Sequence, residues 1–219
     1  NPFKYSTIWT LLLAVALFSN TSCKKEEAED PIAPTPTPSN LITVDQPISA
    51  NTEWTADHRY LIKGFVEVEQ GVTLTIAPGT VIFGDKDTKG TLIINRGGKI
   101  NAIGTASAPI IFTSAEPVGQ RAPGDWGGLI ICGRANTNLP GGSGVVEGGV
   151  EAVFGGTDSA DDSGRLSYVR IEFPGVAFQV NNEINGLTLA GVGSTTQLDH
   201  IQVSYSGDDS FEFFGGTVN

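Results

Sequence analysis

The chain has 219 residues, two cysteines and a formal net charge of −11. Binding to nucleic acid rests on neutralising phosphates, so a chain this acidic argues against a nucleic-acid partner. Two cysteines are too few for a disulfide framework, and the length suffices for one sizeable hydrophobic core.

The first element in chain order has the pattern of an export signal. Lys4 leads into an apolar run from Thr7 to Phe18, and Ser19-Asn20-Thr21-Ser22 then reaches Cys23. That run falls well short of the roughly twenty residues needed to cross a bilayer as a helix. Lys24, Lys25, Glu26, Glu27, Glu29 and Asp30 follow, then Pro31, Pro34, Pro36 and Pro38. A charge-dense, proline-rich stretch cannot bury enough apolar surface to fold and reads as an extended tether. The arrangement resembles a bacterial lipoprotein signal. The lysines and acids directly after the cysteine resemble the surface-export signal of Bacteroidetes lipoproteins. The resemblance divides this region into a signal peptide over 1–22 and a lipidated, Pro-rich tether over 23–40. It implies that Cys23 is acylated, that the membrane is a partner through that lipid, and that the protein sits at the outer membrane or cell surface. Each buried methylene of a lipid chain contributes about 0.8 kcal/mol, so several chains would make the anchor essentially permanent.

From residue 41 onward no segment keeps helical periodicity over ten residues. Short apolar runs are punctuated instead by Gly, Asn, Asp and Pro, which is the pattern of strands and turns. Residues 60–62, 65–68, 74–76, 81–83, 92–94, 99–102 and 110–112 read as strands in order. Offsets of eighteen residues (Leu74 to Leu92) and nineteen (Val81 to Ile100) suggest a short, drifting period. Cys132 lies in the apolar run 128–133 and reads as a buried small hydrophobe. With Cys23 acylated, it has no partner for an intramolecular disulfide.

A clearer repeat follows. Residues 166–175 match 198–207 at a constant offset of thirty-two: Val169 falls on Ile201, Ile171 on Val203, Phe173 on Tyr205. Gly128-Leu129-Ile130-Ile131 resembles Gly186-Leu187-Thr188-Leu189, and Phe154-Gly155-Gly156-Thr157 resembles Phe214-Gly215-Gly216-Thr217. One such repeat cannot bury its own apolar face, so neighbours must stack as a solenoid. The expected fold is a right-handed parallel β-helix over 41–219, with a β-sandwich as the alternative. A sandwich would favour hairpin turns, and Asn-Gly occurs only at Asn185-Gly186.

Residues 124–129, 168–173, 181–187 and 204–210 resemble those of uncharacterised Bacteroidetes surface lipoproteins with a pectin-lyase-like solenoid. That resemblance implies the fold and an envelope location, and no established activity. A chain that stops just after a strong repeat, and starts at Asn1 without Met, is expected to be a fragment of a longer solenoid.

Three groups of residues could carry chemistry. Residues 141–219 hold eleven acids against two bases. Within them, Asp158, Asp161 and Asp162 in one loop and Asp208, Asp209 and Glu212 in another could offer oxygen ligands to calcium. No EF-hand spacing is present, and Asp in turns also caps its own backbone. The second group follows from alternation. With Val169 and Ile171 inward, Tyr168, Arg170 and Glu172 face out, joined one repeat later by His200, Gln202 and Ser204. Such a strip suits an extended polysaccharide laid along the solenoid; extracellular polysaccharide or envelope proteins are the expected partners besides the membrane. Third, Phe211, Phe213 and Phe214 near Tyr205, and Trp126, are aromatics expected mainly inside. No nucleophile elbow, phosphate loop or zinc motif is found. The reading is therefore a binding or adhesion module, with a polysaccharide lyase or glycoside hydrolase as the alternative and no catalytic residue assigned. A lyase would need Arg170 as base, which is rare for a guanidinium.

Overall fold

A computed structural model describes residues 40–179 and 182–218, with the side chain of Gln179 excepted. Cys23, the signal and the tether lie outside the described residues.

The seven runs read as strands are strands. They are β3 (Arg59–Ile62), β4 (Phe65–Val68), β5 (Thr73–Ile76), β6 (Val81–Gly84), β7 (Thr91–Ile94), β8 (Lys99–Ile103) and β9 (Ile110–Ser114). They are preceded by β1 (Leu41–Val44) and β2 (Thr52–Trp54) and followed by β10 (Gly128–Cys132). Later come β11 (Ser143–Val145), β12 (Val153–Gly155), β13 (Gly164–Glu172), β14 (Ala177–Gln179), β15 (Asn182–Glu183), β16 (Leu187–Val192), β17 (Gln197–Ser204) and β18 (Phe211–Gly216). All twelve strand pairings outside the two short hairpins are parallel. This is a right-handed parallel β-helix, and hairpin-connected sandwich sheets are ruled out.

Each turn of the coil visits three faces. The first face holds β1, β3, β6, β9 and the second halves of β13 and β17. The second is a five-stranded sheet in the order β4, β7, β10, β16, β18. The third holds β2, β5, β8 and the first halves of β13 and β17. Inward side chains meet their counterparts one rung, about 4.8 Å, away. Tyr60, Ile82, Phe112, Ile171 and Val203 form one ladder. Val66, Leu92, Leu129, Leu187 and Phe211 form another, and Trp54, Ile76, Ala102, Leu166 and Leu198 a third. Each fully buried aliphatic side chain contributes about 1.5–3 kcal/mol.

The pairings correct two expectations about period. Leu74 pairs with Ile100, and Leu92 with Val66 and Leu129. The eighteen- and nineteen-residue offsets therefore compare strands on different faces, because three similar short strands make up each turn. Phe154 and Phe214 are not rung equivalents either. Phe154 belongs to the antiparallel hairpin β11–β12, and its ring stacks on that of Phe214 at 5.4 Å. The matches of 166–173 with 198–205 and of 128–131 with 186–189 are true register.

A second apolar cluster lies outside the coil. Ile93, Ile130, Cys132 and Ala190 point outward from the second face and pack against Val146, Val150, Ala152 and Phe154 of the excursion between β10 and β13, and against Ile184. Phe178, in β14 of the short β14–β15 hairpin, packs on the same cluster, tilted against Phe65 at 5.5 Å, with Lys89 Nζ 4.1 Å from its ring centre. The second face is thus buried on both sides. Trp126 is fully buried and donates through Nε1 to the Glu172 carbonyl at 2.8 Å.

Candidate functional site

β13 runs straight through one corner of the coil. Leu166 points in and Ser167 out. Tyr168 then takes a left-handed conformation at φ 51°, after which Val169 and Ile171 point in. One rung on, His200 repeats the corner at φ 51°. Phe173 (φ 60°) and Tyr205 (φ 55°) do the same at the next corner. Left-handed backbone costs a non-glycine residue about 1–2 kcal/mol. Ring stacking returns about 0.5–1.5 kcal/mol of it. The Tyr168 and His200 rings stack at 4.1 Å, and Phe173 and Tyr205 at 5.0 Å.

The expected strip Tyr168, Arg170, Glu172, His200, Gln202 is therefore contiguous, but it turns a corner. Arg170 and Glu172 lie on the first face, registered with Gln202 and Ser204. Around the corner on the third face, Arg165 and Ser167 register with Gln197 and Asp199. Alternation alone missed this half. The signal was present in the two non-aliphatic residues between Leu166 and Val169, and again between Leu198 and Ile201.

The strip is pre-arranged by its own ion pairs. Arg170 Nη2 donates to Glu172 Oε1 at 2.5 Å, and Thr113 Oγ1 donates to Glu172 Oε2 at 3.1 Å. Arg170 is thus engaged by a carboxylate, unlike a free base. Asp199 accepts from Ser167 Oγ, contacts His200 Nδ1 at 2.9 Å, and accepts from Arg165 Nη2 at 3.1 Å. The Ser167 hydroxyl first, then His200 and Arg165, hold the Asp199 carboxyl down at about 2. His200 and Gln202 remain exposed.

The six acids considered for calcium are not brought together at one place. Asp158, Asp161 and Asp162 lie near the C-terminal end of the second-face strands, where Asp161 abuts Gly133 and Gly193. Asp208 and Asp209 lie near the opposite end, where the Asp209 carbonyl accepts from Gly186 N. Asp161 is buried and paired with Arg134 Nε at 2.8 Å. Asp162 is paired with Lys99 Nζ at 2.6 Å. Burial pushes the Asp162 carboxyl up, but Lys99 and the Gly164 amide outweigh it, and the net direction is down. Among the described residues, no group of three or more His, Cys, Asp or Glu could hold a metal ion.

The aromatics divide. Trp126 fills the interior as expected. Phe211 and Phe213 register with Leu187 and Leu189, hence on the inner side, yet are 40% and 58% exposed because β18 is the outermost strand of its sheet.

Two features have no trace in short-range sequence. An open polar hollow of about 510 Å³ is lined by Glu67, Glu69, Gln70, Asn95, Arg96 and Glu151. Near the other end of the second face, burial pushes the Glu212 carboxyl up to about 7, helped by the Glu147 carboxyl.

Comparison with known proteins gives one match. Residues 46–219 fit the family described as a pectate-lyase like beta helix domain. No curated protein and no solved structure matches.

Proposed function

The chain belongs to the pectate-lyase-like β-helix domain family, and from that premise we propose that it is a surface-tethered solenoid that binds polysaccharide without turning it over. The observation that carries this reading is the strip around the Tyr168–His200 corner. It is long, polar and uncovered, and its charged groups are already held in place. Pre-organised side chains lose less entropy when a ligand settles on them. An extended glycan offers alternating hydroxyls and apolar ring faces. The strip offers guanidinium and amide donors at Arg165, Arg170 and Gln202, and an exposed ring at His200. Tethering through an acylated Cys23 would present this surface outward from an outer membrane or cell envelope.

The test is binding of the folded chain to a panel of neutral and acidic polysaccharides, measured by calorimetry and by ultraviolet absorbance of unsaturated products. Saturable binding without product supports the proposal. A double variant, Arg170→Ala with Glu172→Ala, that keeps full affinity would sink the strip as the site. Product formation would favour the lyase or hydrolase reading that the family description brings with it. Replacing Cys23 by Ser and following incorporation of a labelled fatty acid tests the tether separately.

A further inference from the structure

Where the β11–β12 excursion meets the coil, the two enclose a polar cleft. Three successive rungs supply its floor. Glu67 points outward from β4, in register with Ile93. Glu69 and Gln70 follow β4, Asn95 and Arg96 follow β7, and Arg134 follows β10. Glu151, Ala152 and Val153 of the excursion form the wall. The hollow of about 510 Å³ continues past Gln70 and Arg96 into a second of about 300 Å³, lined by Arg134, Thr157 and Asp158. Both volumes fall in the range of roughly 300–1,000 Å³ typical of small-molecule sites.

Part of the cleft is already held in place. Arg96 Nη1 donates to the Gly155 carbonyl at 2.9 Å, which fixes it between coil and excursion. Asn95 Nδ2 donates to Glu67 Oε2 at 2.7 Å. The rest of the set is unsatisfied. Arg134, Arg165 and Arg170 each pair with a carboxylate. Arg96 forms no ion pair among the described residues, although Glu67, Glu69 and Glu151 line the same hollow. The side chains of Glu69, Gln70 and Glu151 likewise make no hydrogen bond or ion pair among the described residues. Spare donors and acceptors therefore converge on one space.

Their mixture selects the chemistry of a ligand. A guanidinium only donates, a carboxylate only accepts, and an amide does both. A sugar hydroxyl, which donates and accepts at once, can satisfy all three. An anionic ligand would be set against three carboxylates, which costs affinity. A purely cationic one would meet Arg96 and Arg134. We propose that this cleft binds an uncharged stretch of saccharide. Gln70 and Arg96, shared by the two hollows, are its central contacts, and Glu69 from the coil and Glu151 from the excursion accept its hydroxyls. The site is distinct from the strip and does not depend on the strip binding a glycan. Because coil and excursion both contribute, a bound sugar chain ties one to the other.

The experiment is calorimetric titration and thermal melting of the folded chain with cellotetraose, mannotetraose, xylotetraose and maltotetraose, with tetragalacturonate as the acidic comparison. Saturable binding of at least one neutral tetramer, with a rise in melting temperature, is expected. Glu69→Ala with Glu151→Ala, at two exposed positions, should fold normally and bind that tetramer at least about tenfold more weakly, as loss of hydrogen bonds to charged groups implies. Arg170→Ala with Glu172→Ala should bind it like the parent; loss there would place the sugar on the strip and overturn the proposal. It is equally overturned if no neutral tetramer binds, if the Glu69 and Glu151 double variant keeps full affinity, or if tetragalacturonate displaces the neutral sugar at matching concentration. A melting shift with calcium alone that the same double variant abolishes would make the cleft a cation site instead, and that too overturns it.

Discussion

The second face and the strip opposite it are built from the same rungs and treat their outward side chains in opposite ways. On the second face the outward positions are Ile93, Ile130, Cys132 and Ala190, roofed by the β11–β12 excursion and by the segment around Phe178. On the first and third faces the outward positions near the corner are Arg165, Ser167, Arg170, Glu172, Gln202 and Asp199, and all but Ser167 are at least partly exposed among the described residues. The lesson is a division of labour: one side of the coil is given to a second core, and the other carries a polar, ion-paired surface. Substitutions should separate the two.

The largest effect is expected at Trp126, which anchors the inner core between Phe112, at 6.4 Å, and the Glu172 carbonyl. Trp126→Ala should cost about 3–5 kcal/mol in denaturant unfolding. Ile130→Ala tests whether the outer cluster is a real core. A loss of about 2 kcal/mol or more is expected, and a loss near zero would reduce the excursion to a loose flap. Cys132 gives a chemical version of that test. Burial pushes its thiol up to about 12, so it should resist thiol reagents in the native protein and react on unfolding. Prompt native-state labelling would mean the roof opens.

On the bare side the same experiments should show little. Arg170→Ala with Glu172→Ala should change stability by less than about 1 kcal/mol, since part-exposed ion pairs contribute little. The smallest effect concerns pH. Asp199 is held at about 2, below its ordinary value. Its contribution is present above about pH 4 and lost as pH falls through about 2. Asp199→Asn should therefore flatten the acid limb of the stability curve and leave neutral pH untouched. A loss at neutral pH would show that the strip is structural after all.

Much of this was legible in the sequence, for definable reasons. Alternation in Phe65-Val66-Glu67-Val68 and in Val169-Arg170-Ile171-Glu172 reports one wet face and one dry. Unbroken apolarity in Leu92-Ile93-Ile94 and in residues 128–132 reports burial on both faces. What covers those strands was not legible. Residues 141–155 are rich in glycine, and nothing in that composition announces that Val146, Val150, Ala152 and Phe154 close a core. The corner at Tyr168 was missed because a left-handed tyrosine has no distinguishing composition. The acid pairs were out of reach altogether. Asp161 meets Arg134 across twenty-seven residues, and Glu147 meets Glu212 across sixty-five. Only the coil's register decides which charges face each other.

The excursion between β10 and β13 also sets the order in which the coil can close. Early rungs meet at short range: Leu41 pairs with Arg59, eighteen residues on, and Thr73 with Lys99, twenty-six on. The third face then waits sixty-four residues, until Ile100 finds Gly164. Loop-closure entropy grows only with the logarithm of length, so the extra span costs equilibrium stability under about 1 kcal/mol. Its consequence is kinetic, because pairings distant in sequence form late. Until Gly164 arrives, the edge of β8 is an open template, and its other suitor is the same edge on a neighbouring chain. Refolding yield should therefore fall with protein concentration, and the half-built coil, rather than the finished one, should be the species that aggregates.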